Sequence, residues 1–148
     1  MVLCGLELLQ ESGYHEREDR FPKGGGMKLR VIDGSFSICQ VEEVSTGLLG
    51  SPFCFIGKTD EELSLVCPTG DVPADTLARD DGWRMFGVVG AMEFSLVGVL
   101  ASLSKALADA GVGIFAVSTY NTDYILVKAE QLLRAIEALR QAGYDVVQ

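Results

Sequence analysis

The sequence predicts an α+β fold made of two tandem βαββαβ units, of which the first is abridged. Three observations support this prediction: a strand–helix–strand pattern over residues 83–119, a further strand, helix and strand after it, and an approximate repeat between the two halves of the chain. The order βαββαβ in the second half is that of a ferredoxin-like unit. With 148 residues, 48% of them hydrophobic, the chain can form one core or two small subdomains that share one.

Residues 83–119 combine two apolar strands with one amphipathic helix. Residues 83–89 carry apolar side chains on both faces, which is typical of a strand buried on both sides. From Ser95 onward the leucines recur at helical spacing, and Gly111 stands where a helix takes a left-handed end. The apolar stripe consists of Leu96, Leu100, Leu103 and Leu107. Ser95 is a candidate cap for the helix start, and residues 113–119 form the second strand.

A turn, a strand, a helix and a last strand follow this central pattern. The turn is predicted at residues 120–123 and the strand at 124–128. Residues 129–142 show the helical period, and Gly143 ends this helix. The side chains predicted to face the core are Leu132, Ile136 and Leu139. Residues 144–147 form the last strand.

The first half contains four strand candidates and little helix. Asp33-Gly34 predicts a hairpin turn between the first two strands. Residues 43–51 allow one short helical turn, residues 74–78 allow another, and Asp80-Asp81-Gly82 predicts a turn. The four strand candidates are residues 28–32, 35–42, 53–58 and 63–67.

The two halves are related by an approximate repeat. Residues 53–66 align with the second half at an offset of 61, and residues 36–41 align at an offset of 49. The difference of 12 residues between the offsets corresponds to a helix that the first half lacks. The sequence therefore predicts a degenerate unit over residues 27–82 and a complete unit over residues 83–148.

Residues 1–26 differ from the rest of the chain. A weak apolar opening is followed by a charged run and by three glycines. Glu7 interrupts the apolar stretch and no basic start precedes it, so the segment is a poor signal peptide. Three interpretations stay open: a flexible tail, a short docking helix, or a start called too early, with Met27 as the natural first residue.

Composition and motifs exclude several classes of function. The net charge of −9 argues against nucleic acid and against anionic membranes as partners. The four cysteines form no CxxC pair and His15 is the single histidine, so we expect no metal site. Cysteines within apolar segments fit free buried thiols in a reducing cytoplasm. No nucleophile elbow, P-loop or dinucleotide fingerprint is present, so we expect no catalytic residues and no cofactor.

Two loops carry more polar groups than their turns require. The strand-to-helix turn at residues 90–95 collects free backbone N–H groups at a helix start, which favour a carboxylate. The hairpin at residues 118–123 offers hydroxyls, an amide and a carboxylate. Asp123 could accept an ammonium group while the N–H groups of Leu96 and Val97 take a carboxylate, as an amino-acid pocket requires. Ordinary turn residues are the alternative interpretation of both strings.

The stretch from Ser95 to Val127 resembles the ACT domain family. It is most similar to the domains of small bacterial tandem-ACT proteins and of the CASTOR-type amino-acid sensors. The first half resembles a degenerate leading ACT unit, including residues 60–68, and the resemblance covers about residues 28–147. It implies that Gly90, Leu96 and Asp123 contact a ligand at an ACT–ACT interface. The complete set of ligand-binding candidates is Gly90, Met92, Ser95, Leu96, Val97, Thr119, Asn121, Thr122 and Asp123.

The resemblance implies a non-enzymatic, cytoplasmic regulatory module that binds an amino acid or a similar small effector. The expected partners are this effector and either a second copy, in a homodimer, or a separate protein that receives the signal. A ligand-free structural dimerisation or interaction module is the alternative. An acylphosphatase-like enzyme would need a phosphate-gripping arginine loop, which the sequence lacks, and an RNA-binding version of the fold is opposed by the negative charge.

Overall fold

The computed structural model describes residues 27–89 and 98–148. Strands and helices alternate in an α+β arrangement, which confirms the predicted fold class. The strands are β1 (Lys28–Gln40), β2 (Phe55–Lys58), β3 (Leu63–Pro68), β4 (Ala78–Val88), β5 (Phe115–Ser118), β6 (Asp123–Lys128) and β7 (Asp145–Val147). The helices are α1 (Val99–Asp109) and α2 (Leu132–Gln141), with 3-10 helices at Thr46–Gly50, Thr69–Asp71 and Ala129–Gln131.

Contacts divide the chain into two compact units. The first unit is Asp33–Arg84, and the second unit comprises the described residues up to Ile32 and from Met85 onward. Strands β1 and β4 therefore contribute residues to both units. In the first unit the strand order is β2-β3-β1-β4, and in the second it is β5-β6-β4-β1-β7. Strands β1 and β7 are parallel, whereas the β1–β3, β2–β3 and β5–β6 pairs are antiparallel.

The core of the second unit lies where α1 and α2 pack on the sheet. Leu103 and Leu107 of the predicted stripe are fully buried, and Leu100 is partly buried against the same cluster. Each fully buried leucine contributes about 1.5–3 kcal/mol by leaving water. Gly111 ends α1 at a φ of 71°, as predicted, because a left-handed residue at this position lets Val112 N–H return to the carbonyl of Leu107.

The core of the first unit is smaller and contains two buried thiols. Cys39 and Cys67 pack with Val41, Leu48 and Leu65, and Leu48 reaches the core from the 3-10 helix at Thr46–Gly50. Burial raises the pKa of the Cys67 thiol from 9.0 to about 12, helped by the neighbouring Cys39. Both thiols are free, as predicted, and the neutral form behaves as a small apolar side chain.

Three local predictions for the first half are wrong. Asp33-Gly34 forms no hairpin, because β1 runs without a break from Lys28 to Gln40. The predicted turn at residues 80–82 lies inside β4. Gly34 and Gly82 do have positive φ angles, of 93° and 79°, but each left-handed residue is accommodated within a long strand. The helical turn predicted at 74–78 is also absent; a 3-10 turn lies at Thr69–Asp71.

The two hairpins correspond at an offset of 60 residues rather than 61. Thr59 N–H donates to the carbonyl of Glu62 at 2.9 Å, and Thr119 N–H donates to that of Thr122 at 2.8 Å. The strand registers agree with this offset: Phe55 pairs with Val66, and Phe115 pairs with Leu126. An alignment with two identities could not fix the register, whereas the hydrogen bonds do.

The offset of 49 relates the two ends of the β1–β4 pairing. In the first unit Leu77 N–H donates to Gln40 O at 2.8 Å, and in the second Val89 N–H donates to Lys28 O at 2.9 Å. Lys28 and Leu77 are 49 residues apart, and so are Gln40 and Val89, so an offset of 49 converts one of these hydrogen-bonded pairs into the other. The two offsets, 60 and 49, differ by the 11 residues of α1. In the first half, the short 3-10 helix at Thr46–Gly50 stands where the second half carries α1.

Candidate ligand-binding site

The turn between β5 and β6 is closed by Thr119. Its N–H donates to the carbonyl of Thr122 at 2.8 Å, and its hydroxyl donates to the same carbonyl at 3.0 Å. The N–H of Thr122 donates in turn to Thr119 Oγ1 at 3.3 Å. The Thr119 hydroxyl is therefore occupied in holding the hairpin, a structural role that sequence analysis did not separate from ligand contact.

Thr122 joins this hairpin to the end of β4. Its hydroxyl donates to the carbonyl of Val88 at 3.2 Å in a partly buried position. Val88 is buried, whereas Val89 is 47% exposed and leads out of the strand. From the sequence we expect the polar ends of these two elements to flank one crevice. The structure brings Thr122 directly to the strand end from which that crevice would begin.

Asp123 is a half-buried carboxylate at the start of β6. It lies opposite Ser118 in the β5–β6 ladder. Within the described part of the chain, its carboxylate forms no hydrogen bond and no ion pair. Asn121 is exposed in the turn, beside Tyr120, which is 81% exposed. The hairpin thus presents an acceptor group with a negative charge next to the end of β4.

The other side of the predicted site is described only in part. Gly90, Met92, Ser95, Leu96 and Val97 lie outside the described residues. Helix α1 begins at Val99, with Gly98 at its N-cap at a φ of 90°, so the helix starts further along the chain than the predicted cap at Ser95.

This later helix start changes which backbone groups are available. Ser102 N–H donates to Gly98 O at 2.8 Å, which is the first intrahelical hydrogen bond. The N–H groups of residues 99–101 have no acceptor within the helix. The sequence pattern, which favours a cap at Ser95, gives no indication of these three groups.

Two further findings concern the described residues. No three His, Cys, Asp or Glu side chains in residues 27–89 and 98–148 come together as metal ligands. None of the helices in these ranges has the length and apolarity needed to cross a membrane.

The mostly antiparallel sheet and the helices α1 and α2 that pack on it form an α+β fold of the ferredoxin-like kind. Residues 78–141 match the family model of the ACT domain. The protein Atu0741 from Agobacterium tumefaciens is 33% identical, with a TM-score of 0.75 over 82% of this chain and 92% of that one. Residues 78–141 therefore belong to the ACT domain family, and the chain over most of its length is similar to Atu0741. A comparison with curated proteins gives no match.

More distant structures share the fold. The protein VC0802 from Vibrio cholerae is 21% identical, with a TM-score of 0.62 over 79% of this chain and 90% of that one. The regulatory subunit of aspartate kinase from Thermus thermophilus is 13% identical, with a TM-score of 0.54 over 78% of this chain and 97% of that one. At these identities the likeness concerns the fold alone.

Proposed function

We propose that this protein is a regulatory module that binds an amino acid between the β5–β6 hairpin and the segment that links β4 to α1. The observation that carries the proposal is the half-buried carboxylate of Asp123, which has no partner among the described residues. A charged group in this position stabilises a bound cation more than an exposed one does, because water screens it less. An ammonium group is the cation that every free amino acid carries.

The start of α1 supplies the complementary half of the site. The N–H groups of residues 99–101, which have no acceptor within the helix, lie at the positive end of the helix dipole, where a carboxylate is stabilised. A zwitterion with its ammonium group at Asp123 and its carboxylate towards the helix start satisfies both charges. Gly90, Met92, Ser95, Leu96 and Val97, from the sequence, complete the proposed site, with Thr119, Asn121 and Thr122 on the hairpin side.

The family supports a regulatory role. The fold is shared with regulatory subunits of aspartate kinase, and residues 95–127 resemble CASTOR-type amino-acid sensors. We therefore propose a non-enzymatic cytoplasmic sensor whose ligand shifts an equilibrium between two arrangements by its difference in affinity for them. The signal would pass through a homodimer or to a separate partner protein, without nucleic acid or membrane.

A thermal-shift screen of the twenty amino acids at constant ionic strength tests the proposal. A ligand at about 100 times its Kd stabilises the folded chain by about 2.7 kcal/mol, which raises the melting temperature by several degrees. We expect one amino acid or a small group of related ones to do so, with affinity confirmed by calorimetry. Absence of any stabilisation, together with a stable dimer in solution, would support the ligand-free dimerisation module instead.

A further inference from the structure

The first unit contains a hairpin equivalent to the one in the proposed site. At the offset of 60, residues 59–63 correspond to residues 119–123. Thr59 closes its turn as Thr119 does, since its N–H donates to Glu62 O and its hydroxyl accepts from the N–H of Glu62 at 3.1 Å. Equivalent backbone geometry makes a side-chain comparison of the two hairpins meaningful.

The side chains at the two binding positions differ between the hairpins. Leu63 stands at the position of Asp123 and packs, partly buried, against the core of the first unit. Glu62 stands at the position of Thr122, and its carboxylate accepts a hydrogen bond from the Ser64 hydroxyl at 2.9 Å. The first hairpin therefore offers an apolar side chain where the second offers an unpaired carboxylate.

The end of β1 continues its pairing with the start of β3 beside the first hairpin. Val41 N–H donates to Leu63 O at 3.0 Å, which joins the end of β1 to the hairpin. The Val41 side chain is 2% exposed, and Leu48 covers the same cluster with Cys39. The surroundings of Leu63 are therefore apolar, and burying the ammonium group of a ligand there without a charged or polar partner is unfavourable.

We infer that each chain captures a single amino acid, in the second unit, because the first hairpin carries Leu63, packed against its own core, where the second carries the Asp123 carboxylate. This inference rests on the proposed function. The two sequence copies then have different tasks: one binds the effector through Asp123, and the other contributes a packed unit without a charged acceptor at the equivalent hairpin position.

Calorimetric titration with the amino acid found in the screen tests the inference through its stoichiometry. We expect one molecule per chain for the wild type. Asp123→Asn should lower the affinity about ten- to a hundredfold, since a hydrogen bond to a charged group contributes about 1.5–3 kcal/mol. Glu62→Gln removes the carboxylate at the other hairpin and is the matched control, with an unchanged affinity and count. Melting temperatures of both variants report whether they are folded.

Three outcomes overturn the inference. Two molecules per wild-type chain would show a second site while leaving the proposed function intact, whereas a single site of full affinity in Asp123→Asn would overturn both the inference and the role of Asp123 in the proposed function. Zero binding of every amino acid overturns both. Hydrogen exchange with and without the amino acid gives an independent readout: protection should rise at residues 119–123, and an equal rise at residues 59–63 would contradict the inference.

Discussion

Replacing Thr122 with valine removes the hydroxyl that joins the β5–β6 hairpin to the carbonyl of Val88, at nearly constant side-chain shape. The bond is 3.2 Å long and partly buried, so its loss should cost about 0.5–1.5 kcal/mol of folding free energy, the usual net value of such a bond. The cost approaches about 3 kcal/mol if the Val88 carbonyl is left without any other partner.

Urea unfolding monitored by circular dichroism measures this cost. We expect a lower midpoint for Thr122→Val with an unchanged dependence of free energy on urea concentration, because the surface exposed on unfolding is nearly the same. Thr122→Ser retains the hydroxyl and is the control; its unfolding free energy should stay within about 0.5 kcal/mol of the wild type. The affinity for the amino acid should fall in the valine variant and recover in the serine variant, because the hydroxyl sets the position of the hairpin beside β4.

Equal midpoints for wild type and Thr122→Val would refute this reasoning. The hairpin would then be held by backbone pairing alone, and the Thr122 hydroxyl would be available for direct ligand contact. A lower affinity with an unchanged midpoint would place Thr122 in contact with the ligand rather than in a positioning role.

Three further predictions concern stability. Leu103→Ala should lower the free energy of unfolding by about 2–5 kcal/mol in chemical unfolding, because Leu103 is fully buried. Leu100 is only partly buried, so Leu100→Ala should cost clearly less. Equal costs for the two variants would contradict the orientation of α1. The free energy of unfolding should fall as pH rises from about 9 to about 12, because the pKa of the Cys67 thiol is near 9.0 in the unfolded chain and about 12 in the folded one. In thermal unfolding at several pH values, Cys67→Ala should show a weaker fall of stability with pH. Gly87→Ala should lower the melting temperature because its Cβ would lie 3.1 Å from the Tyr124 ring; a higher one would show that the ring moves freely.

The sequence predicted the elements whose signals are local and repeated. The leucine stripe of α1 carries its period over several turns, so the burial of Leu103 and Leu107 follows from spacing alone. Gly111 stands directly after the stripe, and its left-handed φ confirms the predicted helix end. The hairpin at residues 120–123 was predicted for the same reason, because turn residues separate two short apolar strands.

The wrong predictions depend on partners that are distant in sequence. Asp33-Gly34 carries the usual signal of a hairpin, and Gly34 adopts the left-handed conformation that this signal implies. Whether such a residue reverses the chain or bends a strand is decided by what pairs on either side. β1 stays continuous because Gln40 and Lys28 both find partners flanking β4, which no local pattern reveals.

The candidate site was predictable in composition but not in role. Thr119 and Thr122 are both hydroxyls in one turn, and sequence alone treats them as equal candidates. Their distinct roles, closing the turn and reaching Val88, depend on side-chain geometry. The start of α1 at Val99 likewise depends on Gly98 and its left-handed φ, whereas Ser95 is the residue type that statistics favour for a cap.

Because β1 and β4 each supply residues to both units, the order in which the chain can assemble is constrained. The first unit is continuous in sequence, whereas the second joins the residues before Asp33 to those after Arg84. Completing the second unit requires the chain to return across the whole of residues 33–84, and non-local closure of this kind slows folding. If the first unit forms early, it brings the two ends of residues 33–84 together and so shortens the conformational search for the contacts of the second unit. Pulse-labelled hydrogen exchange would then show early protection of the backbone N–H groups in residues 33–84. The half of the chain with Leu63 in place of the Asp123 carboxylate would in this way serve as the folding template for the half that carries Asp123.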